Sequence, residues 1–389
     1  MSEQDSMKSG ATPKSPRRRW VRLLQWALVL LPVCALGCRH ILFCGPILPS
    51  QPLPATKMID VHCHAAGIGA GDSGCFVSKA LQDNFKFGLY LKTFGVTEAE
   101  LKAQGDGLIM KRMSGQIAAS HHVGWAVVLA LDGVVNAQGE LDLAQTEVYI
   151  PNEFVAREVA KYTNLLFGAS VNPYRKDALE RLDWAKAHGA KLVKWLPPIQ
   201  EIDPADEKLI PFYQKLVQLQ LPLLTHTGFE HSFTRSHDEL ADPDRLRLPL
   251  RLGVTVIAAH AASTGTYQGE RATDRLARLM PLYPNLYTDI SSLTQINKKG
   301  YFPEALRRAE FQGRLLYGTD FPINNIPVLA SAWLFPLRLT CRQMWTISHI
   351  KNPWDRDVAL KQALGVPTDL WLRADALIKP LPAVGADKK

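Results

Sequence analysis

Met58-Ile59-Asp60-Val61-His62-Cys63-His64 is an apolar run that ends in two histidines one residue apart. Side chains alternate faces along a strand, so this reading puts Asp60, His62 and His64 on one face and Cys63 on the other. Two imidazoles on one face can grip one ion together, because neutral histidine is the commonest protein ligand for zinc and related metals. A lone His-x-His is more often a polar strand face than a metal site. The stretch therefore takes its meaning from what surrounds it.

Outward from it, short apolar runs recur at Trp125–Leu131, Leu165–Val171, Lys191–Leu196, Leu221–Thr225, Val254–Ala259, Asn285–Ile290 and Arg314–Tyr317. Amphipathic segments of helical composition separate most of them, among them Asp177–His188, Pro204–Leu219 and Arg271–Leu282. With the first strand these make eight βα units, and such alternation argues a parallel sheet. Eight units fit a closed (β/α)8 TIM barrel better than an open doubly wound sheet, and no Gly-rich phosphate loop follows a strand. Between the first strand and Val123 lies an insertion, about Gly67 to His122. Its Gly-rich opening, Gly67 to Gly74, reads as flexible. The helix-like stretch Leu81 to Leu101 reads as a lid over a site or as a surface helix pair.

The chain has 389 residues, 47% of them hydrophobic and 21% charged, a balance that supports one large globular domain, expected over residues 57–380. The net charge of +8 does not imply nucleic acid: a surplus sits in Lys8, Lys14, Arg17, Arg18, Arg19 and Arg22, with no nucleic-acid motif further on. Residues 1–56 read as a signal or anchor segment and a Pro-rich linker. Trp20 to Gly37 is apolar but interrupted, shorter than the ~20 clean residues of a spanning helix. Ala35-Leu36-Gly37-Cys38 resembles a bacterial lipobox, Pro16 to Arg22 loosely resembles a twin-arginine signal, and an uncleaved anchor is the alternative. Each places the protein at a membrane, exported and tethered as a lipoprotein or by one helix. Of the six cysteines, Cys63, Cys75 and Cys341 fall in the domain and read as structural thiols, with a Cys63–Cys75 bridge left open.

In a (β/α)8 barrel the chemistry sits at the carboxyl ends of the strands. There this sequence has His62 and His64, Asn172 and Arg175, Lys194, His226, His260, Asp289 and Asp320. Histidines or carboxylates at strands one, five, six and eight of one barrel are hard to attribute to chance. The set Asp60-Val61-His62-Cys63-His64, Val193-Lys194-Trp195-Leu196-Pro197, Leu224-Thr225-His226-Thr227-Gly228, Ala259-His260 and Gly318-Thr319-Asp320-Phe321-Pro322 resembles the amidohydrolase superfamily. The nearest likeness is to its amidohydrolase-related branch of metal-dependent hydrolases and decarboxylases, from Lys57 to at least Pro327.

That resemblance implies a metal shell of His62, His64, His226 and Asp320, with Asp320 also acting as base and His260 polarising the substrate or completing a second site. It implies one divalent ion, zinc first, with manganese or iron as alternatives. Lys194 would be a carboxylated bridge in a two-metal member and a non-bridging residue in a one-metal member, the second being preferred. Arg175 is a weaker candidate for a substrate carboxylate, and Glu230, His231 and Asp132 are open positions. Asp289 would orient a ligand histidine. The expected activity is hydrolysis of a C–N or C–O bond in a small organic substrate, with non-oxidative decarboxylation as the alternative. A membrane-tethered, non-catalytic metal-binding protein is the alternative from another class. A homo-oligomer is compatible with the sequence.

Overall fold

The computed structural model describes residues 50–378, apart from 85, 327 and 328. Eight parallel strands run in chain order around one sheet: β1 (Met58–His64), β2 (Val123–Leu129), β3 (Leu165–Ala169), β4 (Leu192–Trp195), β5 (Leu223–Thr225), β6 (Val256–Ala258), β7 (Leu286–Asp289) and β8 (Leu315–Leu316). The sheet closes on itself where Val61 N–H donates to Tyr317 O (3.2 Å), Asp320 N–H to His62 O (2.9 Å) and His64 N–H to Phe321 O (2.8 Å). This is the TIM barrel that the alternation of runs implies.

Two cores follow from the two strand faces. Ile59, Val61, Val127, Leu166, Leu192, Leu224, Ile257 and Leu316 meet inside the barrel, and Ala374 and Ile378 join them. The C-terminal stretch Thr368–Ala376 contacts β1 and β8 and so closes one end of the barrel. The other faces pack against the surrounding helices, including Ala178–Ala187 and Ile210–Leu219, in one large apolar cluster.

The alternation expected for β1 is broken. Asp60 pairs with Ala126 and Cys63 with Val128, so the stretch from Asp60 to Cys63 carries one residue more than the β2 stretch opposite it. Such a β-bulge shifts the residues beyond it to the other face. Hence Cys63 Sγ lies 2.9 Å from Asp60 Oδ2, on the same side, while His62 and His64 keep a common face with rings 5.1 Å apart. The expectation that Asp60 shares the histidine face is corrected accordingly. Asp60 serves as a hub behind the site. Its Oδ1 accepts the N–H groups of His62 (3.0 Å) and Thr319 (3.0 Å), and its Oδ2 accepts Cys63 Sγ, Thr319 Oγ1 (2.6 Å) and Trp354 Nε1 (2.8 Å). No Cys63–Cys75 bridge forms, and both thiols are buried and free.

The insertion is also more ordered than its composition suggests. Asp106 Oδ2 accepts the N–H groups of Ile68, Gly69 and Ala70 and the hydroxyl of Ser73, which pins the Gly-rich opening. The helix-like stretch is divided into Lys79–Gln82, Lys86–Thr93 and Glu98–Gln104. Gly95 at φ +76° stops the second, and a Thr97–Glu100 capping box starts the third. The following helix, Gly107–Ala118, packs on β2 and is the first barrel crossover, so the insertion ends before it rather than at His122. The leader reading, with Cys38, falls on residues outside those described. Among the described residues no helix is long and apolar enough to cross a membrane.

Candidate metal centre

His62 and His64 arrive from the end of β1, and Asp320 from the turn after β8, so the seam that closes the barrel brings them together. Asp320 Oδ1 lies 3.1 Å from His64 Nε2 and 3.5 Å from His62 Nε2. All three donor atoms fall within 4.8 Å of one another. Asp320 sits at φ +62°, a left-handed conformation that costs of order 1–3 kcal/mol in a non-glycine residue and clusters at functional sites.

On the opposite edge of the His62 ring, Nδ1 is 2.8 Å from Asp289 Oδ2, at the end of β7. A carboxylate at Nδ1 holds the proton there and leaves the Nε2 lone pair for a metal. Burial, with the charge of Lys194 next in weight, pushes the His62 pKa down to about 4, so the ring is neutral at pH 7. Burial raises the Asp320 pKa, but His260, His64 and His62 outweigh it and hold the carboxyl well below its usual range. Neutral imidazole and ionised carboxylate are the donor states a divalent cation requires. The residues present fit the ion that the family resemblance implies.

Other expected groups surround this core in different ways. His260, from the end of β6, stacks on His62 with ring centroids 5.0 Å apart. Its Nδ1 is held by Ser291 Oγ (2.8 Å) and Ser292 Oγ (3.0 Å), and burial keeps its pKa well below the usual value. His260, Asp289 and His62 form a second compact donor group. Lys194, on β4, is buried with Nζ 3.0 Å from His62 Nε2, and burial lowers its pKa to about 8. His226, after β5, lines the same cavity, but its nitrogens face Gly228 O (3.2 Å, from Nε2) and Glu230 Oε2 (3.5 Å, from Nδ1). It stands outside the compact three-residue groups. Arg175 is placed elsewhere. Its fork is taken by Asp132 in a bidentate pair at 2.6 and 2.5 Å, and it does not line the cavity. The expectation that it meets a substrate carboxylate is corrected on that ground.

The cavity above the centre measures about 200 Å³. Phe87, Tyr90, Leu91 and Phe94 from the insertion and Phe229 and Phe233 from the loop after β5 give it apolar walls. The insertion thus covers the site as the lid reading expects. His64, Lys194, His226, Glu230, His260, Lys298 and Asp320 supply the polar part. Lys298 escaped the sequence reading: in Asn297-Lys298-Lys299-Gly300 it looks like one more charge in a surface loop. Only the fold buries it.

The family model described as amidohydrolase matches residues 59–337. No curated protein matches the chain. Among solved structures, an uncharacterised TIM-barrel protein of Bordetella bronchiseptica is 16% identical, covers 79% of this chain and 99% of its own, and has a TM-score of 0.49. The apo form of Metarhizium anisopliae IDCase is 12% identical, with coverages of 83% and 97% and a TM-score of 0.47. An amidohydrolase 2 from Bifidobacterium longum subsp. infantis is 14% identical, with coverages of 83% and 98% and a TM-score of 0.42.

Proposed function

The chain belongs to the amidohydrolase family, and on that premise we propose that it is a metal-dependent hydrolase acting on a C–N or C–O bond of a small organic substrate. Members of the family are enzymes that bind a divalent metal, and this chain offers His and Asp groups that could hold one. The observation that carries the reading is the convergence of His62, His64 and Asp320 on one point, with Asp289 fixing the His62 ring from behind. A sheet face that is merely polar does not need a carboxylate to aim its histidine.

His62, His64 and Asp320 would hold one ion, zinc first, and His226 joins them if its ring turns away from Gly228. When bound, the ion supplies Lewis acidity that acidifies a water and polarises a substrate oxygen. Asp320 Oδ1 is the oxygen turned towards His62 Nε2 and His64 Nε2 and would join them in holding the ion, so Oδ2 would take a proton and return it to the leaving group. His260, whose Nδ1 is occupied by the serines, presents Nε2 to the substrate oxygen. The aromatic walls exclude water from the reacting bond. Attachment to a membrane through residues 1–56 is part of the proposal on sequence grounds, and fractionation of the full chain tests it.

One observation favours decarboxylation as a second reading: an aromatic-walled cavity that also buries lysines suits an organic acid. Product analysis separates the two, since decarboxylation replaces a carboxyl on carbon by hydrogen whereas hydrolysis adds the elements of water across the cleaved bond. The deciding experiment is elemental analysis of the full-length protein, His62→Ala and Asp320→Asn, with turnover of esters, lactones, amides and aromatic acids. About one divalent ion per chain, lost in His62→Ala, and a turnover loss of at least ~100-fold in Asp320→Asn are expected. Absence of both metal and metal-stimulated turnover would overturn the reading, and bound metal without turnover of any substrate would leave the metal-binding alternative.

A further inference from the structure

Among the buried cations of the described residues, Lys298 is one of two without a carboxylate partner. Its side chain is buried at the cavity wall, yet the one hydrogen bond it makes among the described residues runs from Nζ to Ser292 Oγ at 2.9 Å. Among the described residues no carboxylate lies within the 4 Å of an ion pair. Three other buried cations are matched: Lys361 Nζ is 2.8 Å from Asp357 Oδ2 and also donates to Gly318 O, Arg175 is paired with Asp132, and Arg275 with Asp242; Lys194, whose Nζ meets His62 Nε2 at 3.0 Å, is the other described buried cation without a carboxylate within 4 Å. The acids near Lys298 are committed elsewhere. Asp289 is bound to His62, Asp320 to His64, and Glu230 accepts the N–H groups of His231 (2.8 Å) and Ser232 (2.6 Å).

A lysine offers three N–H donors and has no acceptor capacity. Here two of them find no protein acceptor among the described residues. Keeping such a group buried is unfavourable unless a counter-charge comes from elsewhere. Burial lowers its pKa and outweighs the carboxylates of Asp320, Glu230 and Asp289, which act the other way from beyond ion-pair distance. The walls beside it, from Phe87, Tyr90, Phe94 and Phe229, are apolar. An ammonium at the polar end of an apolar pocket is complementary to a molecule that is hydrocarbon at one end and anionic at the other.

We propose that Lys298 is the specificity-determining residue of this cavity, pairing with a carboxylate on a substrate whose remaining body is aryl or branched alkyl. The proposal rests on the reading that this cavity is the catalytic one and narrows its substrate class to organic monoacids or esters, amides and lactones that carry a second, ionised carboxyl. Lys194 is assigned no such role, because its Nζ sits 3.0 Å from His62 Nε2, among the metal donors, where a substrate group would meet the ion itself.

The test is calorimetric binding of phenylacetate and of its neutral isostere phenylacetamide to the full-length protein with its metal. Wild type, Lys298→Met, Lys298→Gln and Lys298→Arg are compared, with metal content and melting temperature measured alongside. Wild type is expected to prefer the acid by tenfold or more, roughly the value of one buried charge-assisted hydrogen bond. The preference should fall below about threefold in Lys298→Met and Lys298→Gln and persist in Lys298→Arg. Lys298→Gln can keep a hydrogen bond to Ser292, so it isolates the charge even if Lys298→Met fails to fold. Equal binding of acid and amide by wild type, binding of neither, or a preference that survives in Lys298→Gln would overturn the proposal. Failure of the hydrolase reading would show separately, as absence of metal from wild type with the acid preference intact.

Discussion

Asp289→Asn probes whether the His62 ring is aimed for a metal. Asp289 Oδ1 accepts the N–H groups of His260 (2.8 Å) and Ser291 (3.1 Å) as well as the Ser291 hydroxyl. An asparagine must keep its carbonyl oxygen on that side, since three donors point there. Its amide nitrogen then faces His62 Nδ1, the atom that donates to Oδ2 in the native protein. Two donors in opposition disfavour the proton at Nδ1, so the tautomer that leaves Nε2 free for a metal loses the carboxylate that fixes it and keeps only Ser291 Oγ, 3.1 Å away, as an acceptor. A hydrogen bond to a charged group is worth about 1.5–3 kcal/mol, and loss of a carboxylate behind a ligand histidine typically costs ~10–100-fold in metal affinity. Competition of the full-length protein against a chromophoric chelator should show a loss in that range, with the fold retained by circular dichroism. An affinity within about threefold of wild type would refute the claim that Asp289 sets the ligating tautomer.

Three further outcomes follow from the same geometry. In metal-free protein, His62 and His226 titrate near pH 4 in the folded state, because burial disfavours their charged forms, against about 6.5 unfolded. The unfolded chain holds more protons between those values, so stability is lost as pH falls from about 6.5 towards 4, and the depressed Asp289 and Asp320 act in the same sense lower still; urea melts at pH 7 and 5 should show lower stability at pH 5. Asp60→Ala orphans donors on His62, Cys63, Thr319 and Trp354, and at about 1–3 kcal/mol for each unsatisfied buried group a loss of at least ~3 kcal/mol is expected in the same melts. Gly228→Ala places a Cβ 2.5 Å from Ser263 O at φ +90°, so the melting temperature should drop, with the His226–Glu230 turn displaced.

The barrel was legible because each strand is a short apolar run with its polar residue at one end, and neither property depends on the rest of the chain. For the same reason His62, His64 and Asp320 could be named from sequence: a strand end fixes which mouth of the barrel a residue reaches. What escaped the sequence depends on partners distant in the chain. The β1 bulge is a mismatch against β2, invisible in β1 alone, and it turned Asp60 away from the histidines. Arg175 reads as a free fork until Asp132 is found beside it, 43 residues away in sequence. Lys298 lies in a charged, Gly-ended loop, and its burial at the wall of a cavity that the insertion and the β5 loop also line exists only in the folded chain. Local pattern reports which mouth a side chain reaches, whereas its available hydrogen-bonding capacity is a tertiary property.

The position of the centre on the closing seam has a consequence for how site and fold are coupled. His62 and His64 lie on the first strand and Asp320 follows the last, so closing the sheet places strand pairs that are 256 residues apart in sequence side by side. Asp60 ties the same seam from the outer side by holding the N–H groups of His62 and Thr319 on one oxygen. Its own carboxyl is raised in pKa by burial, which outweighs the donors around it, so Asp60 stabilises the seam through geometry at a cost in desolvation. An ion held between His62, His64 and Asp320 would bridge β1 to the β8 turn on the inner side, opposite that hub. Barrel closure and assembly of the centre are then a single structural event, and a ligand that binds only the closed barrel stabilises the whole fold by mass action.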